Sequence, residues 1–581
     1  MNCISTNSVA GNFEEKLNSI SLSDFNLVEI ESIDILELKD EPKLIINMVK
    51  NTNLNIGAFN FHEEIYSHKN ISDITSFSIL INAPILILKV TKSQKIILPD
   101  LDLIGNLKIA LQPSREREDE TFKFIKKINH PNLGIALNSS NVLGDGSRPA
   151  RLRNLEISKL FFVQLADGIN GNLLPLLGDL NLQGFIKILT RSGYEGIWCV
   201  SIKSKVHPGA VSAYRSLLNI LNEVSIEEPL ARFKIPDIAS RVPATGIEFI
   251  EFAVDERSSY ELSKILRSMA FRQERIHLNK DVVLWRQGAI NIVVNKEKDG
   301  YAHDRFMAHG PMVCDMGLRV QNADETVSRA KALGTKSFVQ NVGLGELNIP
   351  AIRGVGGSIV HFIDEKSDLH RVWDIEFASK NDENFIQPVG LRRVDHIAQT
   401  MKYDEMQDWL LYYISTFEMD KSSIINVSDP SGIVLSQAIE SPEGDVRLNL
   451  NATEDLDTFA GSFVKDKFGA GVQHLAFSTD DIFESAKLLS DTGFKGLCIS
   501  SDYYEKTKNK FNLNDVFIDQ LKEHNILYDC DGLGEYFQLY SENLFDGFFF
   551  EIVQRKNGYS GYGARNASVR LASQIALQKF Q

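Results

Sequence analysis

The second half of the chain contains two copies of one module, and this internal repeat limits the fold more than any other feature. Three pairs of matching segments occur in the same order; they begin at Gly246 and Arg392, at Cys314 and Gln473, and at Gly357 and Phe548. Each copy reads as a strand, a helix and then several strands. A pattern that repeats in order indicates one supersecondary unit used twice.

The first half has a different pattern, in which short apolar runs alternate with amphipathic helices. Runs such as NIGAFNF (Asn55–Phe61), PILILKV (Pro84–Val90) and FFVQLAD (Phe161–Asp167) are typical of buried parallel strands. Alternation of this kind favours a TIM-type barrel. The stretch between PILILKV and LKIAL is too short for a full crossover helix, so we expect a trimmed barrel.

Together these patterns predict an α/β plus α+β protein with three parts and a linker. Residues 1–225 form the trimmed TIM-type barrel, and residues 226–245, a proline-containing segment, form the linker. Residues 246–380 and 390–575 form the two modules, and their pattern fits the paired βαβββ modules of the vicinal-oxygen-chelate fold.

Composition excludes several classes of protein. The chain has 581 residues and a formal net charge of -15, with no concentrated basic patch, so we expect no nucleic-acid partner. The most apolar stretch is short and contains Pro84, which argues against a membrane span. The five cysteines are scattered, and the N-terminal segment has no secretory pattern, so we expect a cytoplasmic protein.

Three residues of the second module form a candidate metal site. His396 lies in VDHIA, His474 in GVQHLAF and Glu551 in FFFEIVQR, each among apolar neighbours on an expected strand. Two imidazoles and one carboxylate on one face suit ferrous iron and leave open positions for substrate and dioxygen. The plainer interpretation of a single such histidine is a satisfied core residue, but a carboxylate buried without a partner is costly. The matching positions of the first module are read as Glu251, Asp315 and His361, which do not make this set.

At these residues the sequence resembles the 4-hydroxyphenylpyruvate dioxygenases over Gly246–Gln574. The motifs VDHIA, GAGVQHLAF, LYDCDGLGEYFQLYSE and GYSGYGARN carry the resemblance. It implies Fe(II), or another divalent metal such as Mg or Mn, at His396, His474 and Glu551. It also implies a substrate pocket formed by Ser436, Asn451, Gln473, Gln538, Phe549 and Tyr562.

Three positions depart from that family. Asn449 stands where the family has a proline, Gly461 where it has another pocket glutamine, and Ala567 where a phenylalanine stacks on the substrate ring. The metal set is intact, whereas the pocket is reshaped. We therefore expect a 2-oxo acid or an aromatic-acid-like substrate rather than 4-hydroxyphenylpyruvate itself.

The whole chain resembles the bacterial two-domain 3-dehydroshikimate dehydratases, through FFVQLADG (Phe161–Gly168), GDLNLQGFIKILTRSGYEG (Gly178–Gly196) and GELNIPAIRGVGGS (Gly345–Ser358). That family holds a divalent metal in its barrel through Glu, Asp, Gln and Glu. The matching residues here are Gln112, Asn138, Gln164 and Ser201. All three anionic ligands are replaced, so we expect a degenerate barrel site without a metal, unless Asp167, Asp179 or Glu29 supplies a carboxylate.

Three functions follow as hypotheses. The leading one is a non-haem Fe(II) oxygenase related to 4-hydroxyphenylpyruvate dioxygenase, with a small-molecule substrate and dioxygen as its partners. The second is a 3-dehydroshikimate dehydratase, a lyase that forms protocatechuate in quinate and shikimate catabolism. The third is a non-catalytic protein with a metal-bound sensor domain. The sequence leaves the substrate, the metal and the oligomeric state open, including a homo-oligomer.

Overall fold

The computed structural model describes residues 2–62, 68–92, 95–144, 146, 149–204, 208–380, 387–532 and 534–578. The chain divides into two units. One contains Met1–Ile238 and Ala332–Gly334, and the other contains Ala239–Lys331 and Thr335–Gln581. No helix in the described part of the chain has the length and apolar character needed to cross a membrane.

The first unit is a closed barrel of eight parallel strands, in which the last strand pairs with the first. Its strands are β1 (Asn2–Ser5), β2 (Leu27–Glu31), β3 (Asn55–Phe61), β4 (Ile85–Val90), β5 (Lys108–Pro113), β6 (Leu133–Asn138), β7 (Leu160–Leu165) and β8 (Ile197–Val200). Side chains such as Cys3, Ala58, Ala110 and Cys199 pack inside, so the interior is a core rather than a pore.

The barrel helices are α1 (Phe13–Ser21), α2 (Pro42–Asn51), α3 (His68–Leu80), α4 (Glu118–Ile128), α5 (Ser139–Leu143), α6 (Leu182–Arg191) and α7 (Ala210–Glu227). Helix α6 illustrates why they form: Leu182, Phe185, Ile186 and Leu189 recur at helical spacing and are buried, and the Asn181 side chain caps the first turn. Between β4 and β5 no α-helix occurs in the described residues, which agrees with the trimmed connection predicted from sequence.

The first module of the second unit is a nine-stranded sheet in the order β14-β15-β16-β13-β9-β12-β11-β10-β17. The strands are β9 (Ala244–Ala253), β10 (Arg272–His277), β11 (Val282–Gln287), β12 (Ile290–Asn295), β13 (Met312–Val320), β14 (Ser337–Phe338), β15 (Ala351–Arg353), β16 (Ile359–Ile363) and β17 (Phe377–Ser379). The helices are α8 (Glu256–Ser268), α9 (Gly300–His309), α10 (Ala323–Ala332) and α11 (Val372–Ile375).

The second module repeats this arrangement in the order β19-β21-β22-β18-β23-β26-β25-β24, with β20 paired to β21. Its strands are β18 (Leu391–Lys402), β19 (Asp420–Lys421), β20 (Ile425–Asp429), β21 (Gly432–Glu440), β22 (Arg447–Thr453), β23 (Gly471–Thr479), β24 (Leu527–Asp531), β25 (Gly534–Tyr540) and β26 (Phe549–Lys556). Its helices are α12 (Met406–Thr416), α13 (Phe459–Asp466), α14 (Ile482–Asp491), α15 (Ser501–Phe511), α16 (Asp515–Glu523) and α17 (Ala567–Gln578).

Each predicted module contains two βαβββ units rather than one. In the first module these units are β9-α8-β10-β11-β12 and β13-α10-β14-β15-β16, and they meet where β9 pairs antiparallel with β13. In the second module the same junction is the pairing of β18 with β23. The central strands of each sheet therefore bring distant parts of the sequence to one concave face.

Candidate metal centre and barrel-mouth site

The three predicted ligands of the second module converge on one point. His396 lies on β18, His474 on β23 and Glu551 on β26, and strand pairing places Ala476 opposite both His396 and Glu551. The two Nε2 atoms are 3.2 Å apart. Glu551 Oε2 lies 3.3 Å from His396 Nε2 and 3.5 Å from His474 Nε2.

This triangle fits a divalent metal. Ligand atoms about 2.1 Å from a metal and at right angles to one another lie about 3.0 Å apart. Among the described residues, this is the one group of three or more His, Cys, Asp or Glu side chains whose ligand atoms come within 4.8 Å of one another. Two imidazoles and a carboxylate are the donors that an open ferrous site uses, so the residues present fit the group.

Neighbouring side chains orient the ligands. Asp395 Oδ1 lies 2.8 Å from His396 Nδ1, which leaves Nε2 pointing into the site. Arg555 holds that carboxylate at 3.0 Å, and Gln538 Nε2 donates to Glu551 Oε1 at 2.9 Å. Such outer contacts fix ring orientation and ligand basicity in metal centres.

The electrostatics of the two imidazoles differ. Burial disfavours the imidazolium form of His396, but the Glu551 and Asp395 carboxylates outweigh it and raise its pKa to about 8. Burial, together with the charges of His396 and Arg570, lowers the pKa of His474 well below its ordinary value. Without a metal, the His396 imidazole is therefore mostly protonated at neutral pH, whereas His474 is neutral.

The predicted substrate residues gather around this point, with one difference. Ser436, Asn451, Gln473, Gln538 and Tyr562 line a cavity of about 90 Å³ together with the three ligands. Phe549 instead stacks on the His474 ring, with centroids 4.7 Å apart. It therefore supports a ligand rather than forming the cavity wall.

The three departures noted in the sequence behave differently. Asn449 and Ala567 both line the cavity. Gly461 does not, because it lies in the first turn of α13, where a Cβ would meet the Asp455 carbonyl oxygen at 2.2 Å. No side chain fits at that position without moving the backbone.

The first module has a different set at the corresponding positions. Gly317 pairs with both Phe249 and His361, as Ala476 pairs with His396 and Glu551. Phe249, not Glu251, therefore takes the place of His396, and the sequence match to Glu251 was wrong by two residues. The antiparallel register between β9 and β13 contains irregularities, so the strand offset could not be counted from sequence.

A cavity of about 670 Å³ opens over this face of the first module. His361 Nδ1 lies 2.6 Å from Asp315 Oδ2 on its wall. Burial and the Asp315 charge raise the pKa of Glu251 to about 7, so this module holds a buried ion pair and a carboxyl that is half protonated near neutral pH.

In the barrel, the four predicted positions meet at the strand ends. Gln112, Asn138, Gln164 and Ser201 line a cavity of about 200 Å³. Gln164 Oε1 accepts hydrogen bonds from Gln112 Nε2 at 2.5 Å and Asn138 Nδ2 at 3.1 Å. Asn138 Oδ1 caps α5, so the oxygens of two of these amides are already used.

One buried carboxyl of this site, that of Glu31, was missed, and that of Glu29 was named from sequence only as a spare acid. Glu29 Oε1 accepts from Gln164 and Asn60, and Glu31 Oε1 accepts from Ser5 Oγ at 2.9 Å. Of the three acids named from sequence, only Glu29 reaches the amides. Asp167 accepts backbone N–H groups of its own loop, and Asp179 is exposed.

Three basic groups at the barrel mouth were also missed. His62, Lys89 and Lys203 line the same cavity, and His62 contacts both Glu31 and Lys89. Lys89 pairs in register with Gln112 on the neighbouring strand. The signal in the sequence was a lysine inside the apolar run PILILKV, at a strand position where a charge needs a partner.

Burial sets the charges of this group. Burial raises the pKa of Glu31 to about 8. Burial also lowers the pKa of His62 to about 4, and the Lys89 charge lowers it further in the same direction. Burial also lowers the pKa of Lys89, although the Glu31 charge opposes it. At neutral pH the cavity therefore contains the protonated carboxyl of Glu31, the neutral imidazole of His62 and the Lys89 side chain.

The four positions do not fit a divalent metal. None of them is anionic, three are amides bonded to one another or to a helix end, and the nearby carboxyl oxygens already have partners. A hard dication requires charged oxygen ligands to offset its lost hydration.

Comparison with known proteins agrees with a two-part chain. Residues 240–378 match the family described as hydroxyphenylpyruvate dioxygenase, HPPD, N-terminal. A 3-dehydroshikimate dehydratase of Pseudomonas putida is 31% identical, over 98% of this chain and 97% of that protein. A 4-hydroxyphenylpyruvate dioxygenase of Pseudomonas aeruginosa is 32% identical over 55% of this chain and 90% of its own length.

A solved structure described as a xylose isomerase-like TIM barrel/4-hydroxyphenylpyruvate dioxygenase fusion protein matches with a TM-score of 0.84 and 29% identity, over 99% of each chain. The relationship to the dehydratase covers nearly the full length of both proteins. The chain therefore belongs to the family of 3-dehydroshikimate dehydratases in which a TIM barrel is fused to a 4-hydroxyphenylpyruvate-dioxygenase-like domain.

Proposed function

We propose that the barrel dehydrates 3-dehydroshikimate to protocatechuate and that Lys89 supplies the positive charge that a metal supplies in other members. The observation that carries this proposal is the position of Lys89. It lies beside Gln112, at the level of the lost ligands, and faces the cavity that they line. The full-length relatives that are named dehydratases support the choice of reaction.

The reaction needs a stabilised enolate. A proton leaves the carbon beside the substrate ketone, and negative charge develops on the ketone oxygen. An ammonium group held in a half-buried cavity can stabilise that charge, as a preorganised cation does in other enolising sites. The exposed Lys203 at the rim is the cation available to the substrate carboxylate.

The contact between Glu31 and His62 can move the protons. His62 is neutral and accepts the proton from carbon, while the protonated Glu31 carboxyl donates its proton to the departing hydroxyl, which leaves as water. His62 then returns its proton to Glu31 through their direct contact. One proton and one hydroxide leave the substrate, and enolisation of the resulting dienone gives the aromatic product.

The test is protocatechuate formation by chelator-treated protein, followed by ultraviolet absorbance. Activity should persist without metal and fall about 100-fold or more in Lys89→Met. Lys92→Met is the matched control, because Lys92 is exposed and pairs with Glu116. Loss of activity on chelation, restored by magnesium, would show that the barrel uses a metal after all. No product from the unaltered protein would overturn the dehydratase proposal itself.

A second activity is favoured by the triad of the second module. A ferrous ion held by His396, His474 and Glu551 would supply open positions for a substrate chelate and dioxygen, as in the oxygenases that use this donor set. The protein contributes the fixed ligand orientation and a small cavity that limits water. This part of the proposal is an Fe(II) oxygenase acting on a 2-oxo acid or an aromatic-acid-like substrate.

Oxygen uptake by anaerobically iron-loaded protein tests the second activity. A panel of 2-oxo acids should contain one that stimulates uptake, and His474→Ala should abolish the effect. Uptake that is unchanged in His474→Ala would come from iron outside the triad and would refute this role.

A further inference from the structure

The second module has a cation in its cavity that the metal chemistry does not explain. Arg570 lies on α17 and lines the cavity together with Ala567, which is three residues earlier on the same helix face. Its guanidinium lies 4.7 Å from the centre of the Phe549 ring, the same ring that stacks on His474. The half-buried Arg570 guanidinium therefore lies next to a residue that supports a candidate metal ligand.

Arg570 lacks a carboxylate partner among the residues that the structure describes. Its one hydrogen bond goes to the neutral Gln574 side chain, and the rings of Phe459 and Tyr540 lie 5.9 and 5.8 Å away. A guanidinium in a closed pocket is normally paired, because desolvation without a counter-charge is costly. An anion from outside the chain would complete its surroundings.

The charges of the cavity define what that anion must be. Among the described residues on its wall, Glu551 and Arg570 are the formally charged side chains apart from the two histidines. With a dication bound, the charges of metal, Glu551 and Arg570 leave an excess of two positive charges. If a ligand chelates the metal through a group that carries one negative charge, one of the two excess positive charges remains uncompensated, at Arg570.

A third group points to a hydrogen-bond donor or acceptor on the ligand. Asn449 lines the cavity and is 7% exposed, and its side-chain oxygen is buried without a hydrogen-bond partner among the described residues. An unpaired buried amide costs about 1–3 kcal/mol, so a polar group of the ligand is expected there. The small Ala567 side chain leaves space in front of Arg570.

We propose that the second module binds a doubly anionic acid, in which two adjacent oxygens chelate the metal and a separate carboxylate pairs with Arg570. The inference rests on the proposed metal centre but not on oxygen chemistry. Two sources have this chemistry: a 2-oxo dicarboxylic acid, and a dihydroxybenzoic acid with adjacent hydroxyls. The second class includes the product proposed for the barrel, which would make one unit the supplier of a ligand for the other.

Calorimetry on anaerobic Fe(II)-loaded full-length protein tests the proposal with matched pairs of ligands. One pair is 3,4-dihydroxybenzoate and catechol, and the other is 2-oxoglutarate and 2-oxopentanoate; the members of each pair differ in the distal carboxylate. In at least one pair the carboxylate-bearing member should bind about tenfold or more tightly. In Arg570→Leu that difference should disappear, and the affinity of the other member should stay unchanged.

Controls separate the possible failures. Arg565→Leu removes an exposed arginine of the same segment, which contacts Asp529 at 3.4 Å, and should leave the ligand preference intact. Arg570→Lys keeps the charge and should retain part of the preference if Arg570→Leu fails to fold. Equal binding within both pairs by the unaltered protein, or a preference that survives in Arg570→Leu, would overturn the inference. Failure of the protein to take up one equivalent of Fe(II) would instead refute the metal centre on which it rests.

Discussion

The two modules of the second unit present the same strand positions to their cavities, but with different side chains. In the second module these positions hold His396, His474 and Glu551, and the ligand atoms form a triangle with edges of 3.2 to 3.5 Å. In the first module they hold Phe249, Asp315 and His361. The scaffold thus fixes where three side chains meet, and the side chains decide whether a metal can be held there.

The difference also changes how each module satisfies its buried charges. Asp315 and His361 neutralise each other as an ion pair, and Phe249 packs at 5.9 Å against Trp373 in place of an imidazole. In the second module, the Asp395–Arg555 pair is directed at the back of His396. In the first module the charged side chains therefore neutralise each other, whereas in the second module three candidate ligand atoms point toward one another.

The largest expected effect is on metal uptake. His474→Ala removes one of three ligands and should lower the affinity for Fe(II) about 100-fold or more, because the remaining pair cannot close the site. The matched variant His361→Ala should leave the affinity unchanged. Metal content after anaerobic desalting distinguishes the two, and equal loss in both variants would mean that the first module also holds metal.

A smaller effect is expected from the carboxylate behind His396. Asp395→Asn keeps the size of the side chain but removes the charge that orients the imidazole and pairs with Arg555. The affinity for Fe(II) should fall about 10- to 100-fold, measured by competition with a chromophoric chelator. Asp315→Asn, the same substitution at a buried carboxylate of the module without the ligand set, should have no effect on metal affinity.

A single substitution should make the two modules more alike. Phe249→His would give the first module two imidazoles and one carboxylate at the three converging positions. The expected result is a second, weaker equivalent of bound metal per chain, because Asp315 and His361 must first break the ion pair that they form with each other. Phe249→Leu controls for loss of the ring. A stoichiometry that stays at one would show that side-chain identity alone does not separate the modules.

The smallest effect concerns pH and the first module. Burial and the Asp315 charge raise the pKa of Glu251 to about 7, whereas an unfolded glutamate titrates near 4.5. Between about pH 4.5 and pH 7 the native state therefore binds one more proton than the unfolded state. Its free energy of unfolding should fall as the pH rises through this range. Glu251→Gln should remove this dependence, which is worth roughly 2 kcal/mol between pH 5.5 and 8, and be the more stable protein at pH 8. Thermal midpoints at pH 5.5 and 8 measure it; a variant that loses stability in parallel with the parent protein would contradict the shift.

Some features of the site followed from sequence because they depend on local pattern. A histidine or glutamate among apolar residues on a strand must be paired or bound, so His396, His474 and Glu551 stood out individually. The internal repeat indicated that the three residues belong to one module. The polar wall residues Ser436, Asn451, Gln473, Gln538 and Tyr562 followed from resemblance, and they line the cavity.

Other features depended on pairing between strands that are distant in sequence. The bulged register of β9 against β13 moved the counterpart of His396 from Glu251 to Phe249. The carboxyls of Glu29 and Glu31 turned inward beside Gln164 and Asn60, so the barrel mouth contains acids besides the four matched positions. Neither outcome can be predicted from the sequence of a single strand, because each depends on the register between two strands.

Sequence patterns alone predicted the barrel followed by two repeated modules, the trimmed β4–β5 connection and the three candidate ligands. Those properties come from periodicity, repetition and residue type, which are local or additive along the chain. Only the tertiary structure decided which groups share a cavity: Lys89 with His62 and Glu31 in the barrel, and Arg570 with Asn449 near the metal ligands. Strand register and the packing of α17 bring these groups together although they lie far apart in the sequence. Because they are desolvated there, their pairing affects the energy of the site.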